Sequence, residues 1–300
     1  MDRPRRPLPV DGGPIPLVDV SRFRRKVLDL PYARTSAAQK LDLYLPDLGD
    51  GPFPVLLYVH GGAFAMCDKR EIPLEPFLGG LTRGYAVVSV NCRLSGEAIL
   101  PAALQDLKAA VRWLRANSRK FHLDGARIAA CGGSAGGYYS TMLGLTADVP
   151  ELDDLELGNP EFPCDVQAVV DWFGPTDFLK MDEQLAASGL GPCDHNHADS
   201  PESRYLGAPI TEIPERVRQA SPITYIHAGM PPILIQHGRL DHLVPVQQSI
   251  IFAEQLAKHV GHDSFEFEIL AGADHADPGF ETEENTDRVF AFLDRHLKLA

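Results

Sequence analysis

The sequence predicts an α/β fold in which a mainly parallel sheet carries helices on both faces and a small inserted cap. Strand-like runs alternate with helical segments along most of the chain, which is typical of this class. Most of these strands are continuous apolar runs, as in parallel strands that are buried on both faces. Two segments, roughly 148–165 and the longer 178–230, interrupt the alternation. We expect residues 1–300 to form a single domain of this type.

The strands can be followed in chain order after an N-terminal arm. Residues 1–26 are rich in proline and basic residues, and we expect them to be loosely held. Lys40–Leu45 alternates polar and apolar residues as a half-exposed strand does, and Phe265–Leu270 alternates like an edge strand. Continuous apolar runs predict buried strands at Pro54–Val59, Tyr85–Val90, Arg127–Cys131, Val166–Val170 and Pro232–Gln236.

Helices are predicted between these strands. Spacings of four and three residues place Leu100, Leu104, Leu107, Val111 and Leu114 on one helical face. Further helices are expected from Tyr138 onward, over Val246–Val260 and over Glu283–Leu299. Because a structureless loop as long as 178–230 is rare in a compact domain, we interpret that segment as a cap over the strand ends.

Charge and cysteine content indicate the class of partner and the compartment. A formal net charge of −13 argues against nucleic acid or an anionic membrane as a partner, since both require clustered Lys and Arg. No apolar run is long enough for a transmembrane helix, and Met1–Pro7 precedes no apolar core of a secretory signal. We therefore expect a cytoplasmic protein, and the sequence leaves open whether it forms a homo-oligomer.

The cysteines are predicted to be mostly free thiols in a reducing compartment. Their number is odd and their spacing does not match metal ligands. A pair between Cys164 and Cys193, which both fall in irregular regions, is the open alternative. The five positions are Cys67, Cys92, Cys131, Cys164 and Cys193.

One motif, Gly132-x-Ser134-x-Gly136, predicts a nucleophile. It lies between a predicted buried strand and a predicted helix, which is the context of a nucleophile elbow. The two glycines leave room for the strained turn that exposes the serine hydroxyl above the sheet. Small-residue motifs of this kind are common, so the interpretation depends on an acid and a base elsewhere in the chain.

An acid and a base follow in the order that this scaffold uses. A serine hydroxyl needs a histidine to take its proton and a carboxylate to hold that histidine. Asp241 follows the strand Pro232–Gln236 by a short turn, and Asp177 is the second candidate acid. Of the later histidines, His275 is favoured because its loop directly follows the last strand, whereas His242 is expected to point away from the site.

The loop after the strand Pro54–Val59 supplies candidate donors for an oxyanion. We assign the backbone N–H groups of Gly62 and Ala63 to this role, together with Ala135 beside the nucleophile. Gly61 provides the turn of the loop, and His60 is expected to brace it rather than to act as the base.

Two other polar features are interpreted as structural. Asp194–Asp199 is rich in potential metal ligands, but no second cluster completes a metal site, so we favour a polar cap loop. Asp106 lies on a predicted helix near the sheet. We expect neither a metal nor a cofactor.

Together these residues resemble the α/β-hydrolases, in particular the bifunctional feruloyl and acetyl-xylan esterases and the related hormone-sensitive-lipase-like carboxylesterases. The resemblance extends from about Leu41 to the C-terminus and implies that Ser134, Asp241 and His275 are nucleophile, acid and base. It also implies an oxyanion site at the His60 loop, where Ala63 replaces a glycine that many relatives have. Its carriers are His60–Phe64, Gly132–Gly137, Asp171–Asp177, Ser200–Ser203, Ala220–Thr224, Gly238–Pro245 and His275.

The leading hypothesis is a cofactor-independent serine esterase that acts on a small-molecule ester. The small residue Ala63 and the polar cap favour short acyl chains, and acetyl or feruloyl esters of sugars fit the resemblance. An arylformamidase is the alternative within the enzyme class, although the pair Ala63-Phe64 differs from the pattern usual in that group. A ligand-binding protein on an inactive hydrolase scaffold is the alternative outside it.

Overall fold

The computed structural model describes residues 15–298 and contains an eight-stranded mixed sheet. Numbered along the chain, the strands span Lys26–Pro31 (β1), Lys40–Tyr44 (β2), Phe53–Val59 (β3), Ala86–Val90 (β4), Leu123–Gly133 (β5), Ala168–Trp172 (β6), Ile233–Gly238 (β7) and Phe265–Leu270 (β8). Their spatial order is β1-β2-β4-β3-β5-β6-β7-β8. Strands β3 to β8 are parallel to one another, whereas β2 is antiparallel to both of its neighbours, β1 and β4.

Helices cover both faces of this sheet. The helices span Glu75–Leu78 (α1), Ala102–Ala116 (α2), Ala135–Leu145 (α3), Met181–Ser188 (α4), Pro201–Leu206 (α5), Pro214–Ala220 (α6), Gln247–Val260 (α7) and Glu283–Leu297 (α8). Side chains of α2, α3 and α7 share one hydrophobic core with one face of the sheet, and those of α1 and α8 share a second core with the other face. The predicted fold class, a mainly parallel sheet between helices, is therefore confirmed.

The segment 178–230 lies between β6 and β7 and contains α4, α5 and α6. Several of its apolar side chains, among them Met181, Tyr205 and Leu206, are buried and join the core of α2 and α3. Because these side chains are anchored in the main core, the segment packs firmly beside the carboxyl ends of the parallel strands.

The prediction of a loosely held arm is wrong for its described part. Residues 1–14 lie outside the described residues, but Val18 is buried and its N–H donates to Arg70 O at 2.8 Å. Pro16 O accepts from the N–H of Ile72 at 2.9 Å, and β1 begins at Lys26. The proline-rich composition hid both the pairing with a distant loop and the extra strand.

The prediction that β2 is half-exposed is also wrong. β2 lies between β1 and β4, and Asp42 at its centre is fully buried. Arg70 donates to both carboxylate oxygens of Asp42, and Lys69 Nζ lies 3.5 Å from Oδ1. A buried charge requires such partners. Lys69 and Arg70 lie far from Asp42 along the chain, so the local sequence around Asp42 does not indicate this pairing.

Asp106 on α2 has a structural role, as expected. It is buried and accepts hydrogen bonds from Gln39 Nε2 at 2.7 Å and from the Arg93 N–H at 2.9 Å. All five cysteines are free, so Cys164 and Cys193 are not paired. No helix within residues 15–298 is both long and apolar enough to cross a membrane.

Candidate active site

Ser134 occupies the turn between β5 and α3 in a strained conformation. Its φ of 57° and ψ of −125° lie outside the regions that non-glycine residues normally populate. The N–H of Ser134 donates to Trp172 O on the neighbouring strand at 2.9 Å, which fixes the turn. Strain of this kind persists where the surrounding structure imposes it, commonly at reactive residues.

The glycines of the motif allow β3 and α3 to approach each other. A Cβ atom on Gly132 would lie 2.4 Å from Val59 O, and a Cβ atom on Gly136 would lie 2.1 Å from the same oxygen. Both distances are far shorter than a van der Waals contact. The small residues on either side of Ser134 are therefore required by the backbone of β3, which leads into the His60 loop.

His275 connects Ser134 to Asp241. Its Nε2 lies 3.0 Å from Ser134 Oγ, and its Nδ1 lies 2.8 Å from Asp241 Oδ2. The ring packs edge-on against Phe173 at a centroid distance of 4.8 Å. Its backbone N–H donates to Asp274 Oδ1 at 2.6 Å. His275 is thus held by contacts at both ring nitrogens, by the packing of its ring against Phe173 and by the hydrogen bond of its backbone N–H.

Asp241 is fully buried and accepts several hydrogen bonds. Its Oδ1 accepts from the N–H groups of Leu243 at 2.9 Å and Val244 at 2.8 Å. Its Oδ2 lies 2.8 Å from His275 Nδ1 and 3.3 Å from His237 Nε2. Burial alone would raise the pKa of Asp241, but the two imidazoles outweigh it and hold that pKa below its usual range. Asp241 is therefore an anion throughout the neutral range.

This arrangement can activate a hydroxyl as a nucleophile. The imidazole can take the proton from Ser134 Oγ as the oxygen attacks an electrophilic carbon, while the buried carboxylate stabilises the imidazolium. The structure thus brings together Ser134, Asp241 and His275, which the sequence singled out as candidates.

The other candidate residues occupy different positions. Asp177 does not contact His275, and its N–H donates to Gln248 Oε1 at 2.7 Å. His60 is buried with its Nδ1 2.8 Å from Gly61 O, so it contacts its own loop. The expectation for His242 is only partly right: its Nδ1 contacts Asp274 Oδ1 at 2.7 Å, but the residue lines a cavity that reaches Ser134.

The three predicted oxyanion donors are available for a ligand. Within residues 15–298 the N–H groups of Gly62, Ala63 and Ala135 donate to no protein acceptor. The loop turns sharply there, with positive φ at Gly62 (103°), Ala63 (50°) and Phe64 (63°). Ala135 also begins α3, whose positive end favours an anion.

Two cavities meet at Ser134 and His275. The first, which we call the aromatic cavity, measures 290 Å³ and is lined by Tyr58, Met66, Phe77, Trp172, Phe173 and Phe280. The second, which we call the polar cavity, measures 400 Å³ and is lined by Asp194, His195, His197, Asp199, Glu202 and His242. Ala63 lines both. A group bonded to Ser134 could therefore extend in two directions with different chemistry.

The Asp194–Asp199 loop contributes to the polar cavity rather than to a metal cluster. Among residues 15–298, no group of three or more His, Cys, Asp or Glu side chains is placed to hold a metal ion.

Three residues of the site were not predicted from the sequence. Phe173 contacts His275, His237 contacts Asp241, and Asp274 accepts from His275 and His242. Asp274 could have been suspected because it immediately precedes His275, and His237 because it lies four residues before Asp241. The sequence does not indicate the role of Phe173, since its contact with His275 depends on how β6, β7 and β8 are arranged in the sheet.

Comparisons with known proteins agree with this architecture. A family model described as BD-FAE matches residues 41–256. The chain is 32% identical to the probable carboxylic ester hydrolase LipM of Mycobacterium tuberculosis, over 81% of this chain and 54% of LipM. It therefore spans little more than half the length of that relative.

Two solved structures have a similar fold. A bifunctional GH43-CE protein of Bacteroides eggerthii superposes with a TM-score of 0.82 at 32% identity, over 90% of this chain and 38% of that one. A truncated carbohydrate esterase from gut microbiota superposes with a TM-score of 0.81 at 28% identity, over 92% and 98%.

Proposed function

This chain belongs to the BD-FAE family, and on that premise we propose that it is a carboxylic ester hydrolase with Ser134 as its nucleophile. The observation that carries the proposal is the contact of His275 with both partners, 3.0 Å to Ser134 Oγ and 2.8 Å to Asp241 Oδ2. The name of LipM, a probable carboxylic ester hydrolase, supports the same activity.

The first half of the proposed reaction forms an acyl-enzyme. Ser134 Oγ attacks the ester carbonyl carbon while His275 Nε2 takes the hydroxyl proton. The carbonyl electron pair moves onto oxygen, and the tetrahedral intermediate that results carries a negative charge. When the carbonyl re-forms, the bond to the alcohol oxygen breaks, and His275 gives its proton to that oxygen. The alcohol leaves, and the acyl group remains on Ser134.

The second half releases the acid. Water loses a proton to His275 as it attacks the acyl carbonyl, and the bond to Ser134 Oγ breaks with return of that proton to the serine. Asp241 remains ionised throughout and stabilises the imidazolium formed in each half.

The oxyanion is assigned to the N–H groups of Gly62, Ala63 and Ala135. Gly62 and Ala63 line the aromatic cavity and Ala135 lines the polar cavity, both of which reach Ser134. Their N–H groups donate to no protein group within the described part of the chain. Donors that are already oriented toward the developing charge stabilise the transition state more than the ground state.

The substrates are proposed to be short-chain or small aromatic esters, including acetyl or feruloyl esters of sugars. The aromatic cavity supports this choice because its 290 Å³ and its ring side chains suit a small or flat acyl group. The names of the two similar structures, which refer to a bifunctional GH43-CE protein and a carbohydrate esterase, also support it.

A cytoplasmic location is part of the proposal. Five free cysteines support it, since thiols persist in a reducing compartment. Fractionation of cells that produce the protein, with detection by antibody, tests this assignment.

The activity is tested by hydrolysis of p-nitrophenyl acetate by the purified protein and by Ser134→Ala. We expect turnover by the wild type and a loss on the order of 10⁴-fold or more in the variant. N-formylkynurenine in the same assay tests the arylformamidase alternative. An inactive wild type would favour the ligand-binding alternative, and a fully active Ser134→Ala would refute the role of Ser134.

A further inference from the structure

The aromatic cavity and the polar cavity have a boundary formed by few residues. Among the described residues, those that line both cavities are Ala63, Ser134, Leu243 and His275. Ser134 and His275 are assigned to the chemistry, and Ala63 to the oxyanion donors through its backbone N–H. Leu243 is the remaining member of this boundary, and its side chain has no part in the proposed reaction.

The backbone of Leu243 is fixed from both sides. Its N–H donates to Asp241 Oδ1 at 2.9 Å, and its carbonyl oxygen accepts from Nε2 of the buried His195 at 2.9 Å. The inserted segment also packs closely on the preceding peptide, because a Cβ atom on Gly191 would lie 1.9 Å from His242 O. Leu243 is therefore held at the boundary of the two cavities by the catalytic acid on one side and by the inserted segment on the other.

The two cavities on either side of Leu243 differ in what they offer to a hydrocarbon chain. The aromatic cavity buries such a chain against ring side chains, and its volume is 290 Å³. The polar cavity is lined by imidazoles and carboxylates, which lose water without gaining a partner when a hydrocarbon covers them. Leu243 is 44% exposed, so its side chain takes up space beside the cavities rather than in the core. The size of this side chain therefore affects how much room the aromatic cavity has.

We propose that Leu243 is a specificity-determining residue, whose side chain closes the aromatic cavity on the side of the polar cavity and thereby limits the length of the acyl chain. The inference rests on the proposed function, in which the aromatic cavity receives the acyl group. The contacts of Leu243 with Asp241 and His195 are made by its backbone. A substitution there therefore changes the size of the wall while the donor to the catalytic acid is kept.

The inference concerns the acyl half of the ester, which gives it a distinct kinetic signature. A shorter side chain at position 243 leaves space that adds to the aromatic cavity, and each further methylene buried there contributes binding free energy. The gain should depend on the acyl chain and not on the alcohol that leaves. Two series of esters that share their acyl chains but differ in their alcohols should therefore respond by the same factor.

The test measures kcat/KM for p-nitrophenyl octanoate divided by kcat/KM for p-nitrophenyl acetate. We expect this ratio to rise about tenfold in Leu243→Ala and to fall in Leu243→Phe, whose larger side chain shortens the cavity. The ratio of methyl octanoate to methyl acetate should change by the same factor. Leu240→Ala is the matched control, because Leu240 belongs to the same loop, is 46% exposed and lines neither cavity. It should leave both ratios as they are in the wild type.

Three results would overturn the inference: unchanged ratios in both Leu243 variants, an equal rise in Leu240→Ala, or a response that follows the length of the alcohol instead of the acyl chain. Thermal unfolding of each variant shows whether it is folded, and the opposite shifts expected from Ala and Phe do not depend on one variant alone. A wild type that hydrolyses no ester through Ser134 would instead refute the proposed function. Loss of activity in Ser134→Ala with unchanged ratios in the Leu243 variants would keep the proposed function and refute only the role of Leu243.

Discussion

Asp241 carries the anionic charge on which the proposed role of His275 depends. It is fully buried, and backbone N–H groups hold its Oδ1 while the imidazole contacts its Oδ2. The neighbouring His237 also lies within 3.3 Å of Oδ2. With this support the carboxylate orients the imidazole and selects the tautomer that leaves Nε2 free to take a proton.

Replacement of Asp241 by asparagine should lower kcat on p-nitrophenyl acetate by roughly 10³- to 10⁴-fold. The amide can keep the hydrogen bonds at Oδ1, so we expect near-normal folding, but it cannot balance the charge of an imidazolium. Steady-state kinetics together with a thermal unfolding curve provide the measurement.

Asp177→Asn is the control for that substitution, because Asp177 was the other candidate acid and does not contact His275. It should retain activity within about twofold of the wild type, as substitutions away from reacting groups usually do. The assignment of Asp241 would be contradicted if the two variants showed the opposite pattern.

Chain order and strand ends were sufficient to single out Ser134, Asp241 and His275 from the sequence. Their supporting residues were harder to find, because support depends on contacts rather than on motifs. Phe173 follows β6, yet it packs on a histidine that follows β8. Such a contact becomes visible only once the register of the sheet is known.

The close approach of β3 and α3 determines where Ser134 and the His60 loop lie relative to each other. Val59 ends β3 directly before His60, and its carbonyl oxygen faces Gly132 and Gly136. The two elements can therefore separate only if Ser134 moves away from the loop that carries Gly62 and Ala63.

Gly136→Ala should destabilise the protein and also impair the site. The added Cβ would lie 2.1 Å from Val59 O, a backbone atom of β3. Because this contact is with backbone and not with a flexible side chain, the clash can be relieved only if α3 moves. We expect a loss of about 1–3 kcal/mol or more in the free energy of unfolding, typical of overpacking, together with reduced kcat. Urea unfolding and p-nitrophenyl acetate kinetics measure the two effects.

Gly96→Ala is the matched control, since a Cβ there meets no atom within 4 Å. It should leave both quantities nearly unchanged. Wild-type stability and activity in Gly136→Ala would show that the packing of β3 against α3 is more tolerant than the structure indicates.

The elements that the sequence misjudged share one cause. The N-terminal arm and β2 depend on partners far along the chain: the backbone of Pro16 and Val18 pairs near Arg70, and Asp42 is neutralised by Arg70 and Lys69. The local pattern of polar and apolar residues indicates which face of an element is buried. It does not indicate these long-range contacts, which form only in the tertiary structure. The continuous apolar strands were easier to predict because their burial on both faces leaves a strong local pattern.

The stability of the molecule should depend on the ionisation of Asp171, at the end of β6. Its Oδ1 accepts from the Gly174 N–H at 2.9 Å, but its buried Oδ2 has no hydrogen-bond partner within residues 15–298. Burial raises the pKa of Asp171 from 3.8 to about 6, although the Gly174 N–H opposes this effect. The folded state therefore binds this proton more tightly than the unfolded state. Stability is lost as the pH rises from 3.8 through about 6.

Asp171→Asn removes this ionisation and should gain stability relative to the wild type as the pH rises. Between pH 4.5 and 7.5 the difference in free energy of unfolding should shift by about 2 kcal/mol in favour of the variant. Urea unfolding of both proteins at the two pH values measures the shift. A constant difference would mean that Asp171 does not change its ionisation in this range.

More of the overall architecture than of the cavities could be predicted from the sequence. Alternating strands and helices indicated the fold class, and the interruption at 178–230 indicated an insertion. The two cavities that meet at Ser134 could not be predicted, because their walls combine side chains from separate parts of the chain. Glu202 and His242, for example, come from the inserted segment and from the loop after β7.

Covalent labelling with a fluorophosphonate, followed by peptide mapping by mass spectrometry, shows directly whether Ser134 is a nucleophile activated by His275. We expect one adduct per chain, located on Ser134, with no labelling of Ser134→Ala and greatly slowed labelling of His275→Ala. Labelling at another residue, or none in a folded wild-type protein, would exclude Ser134 as the activated nucleophile.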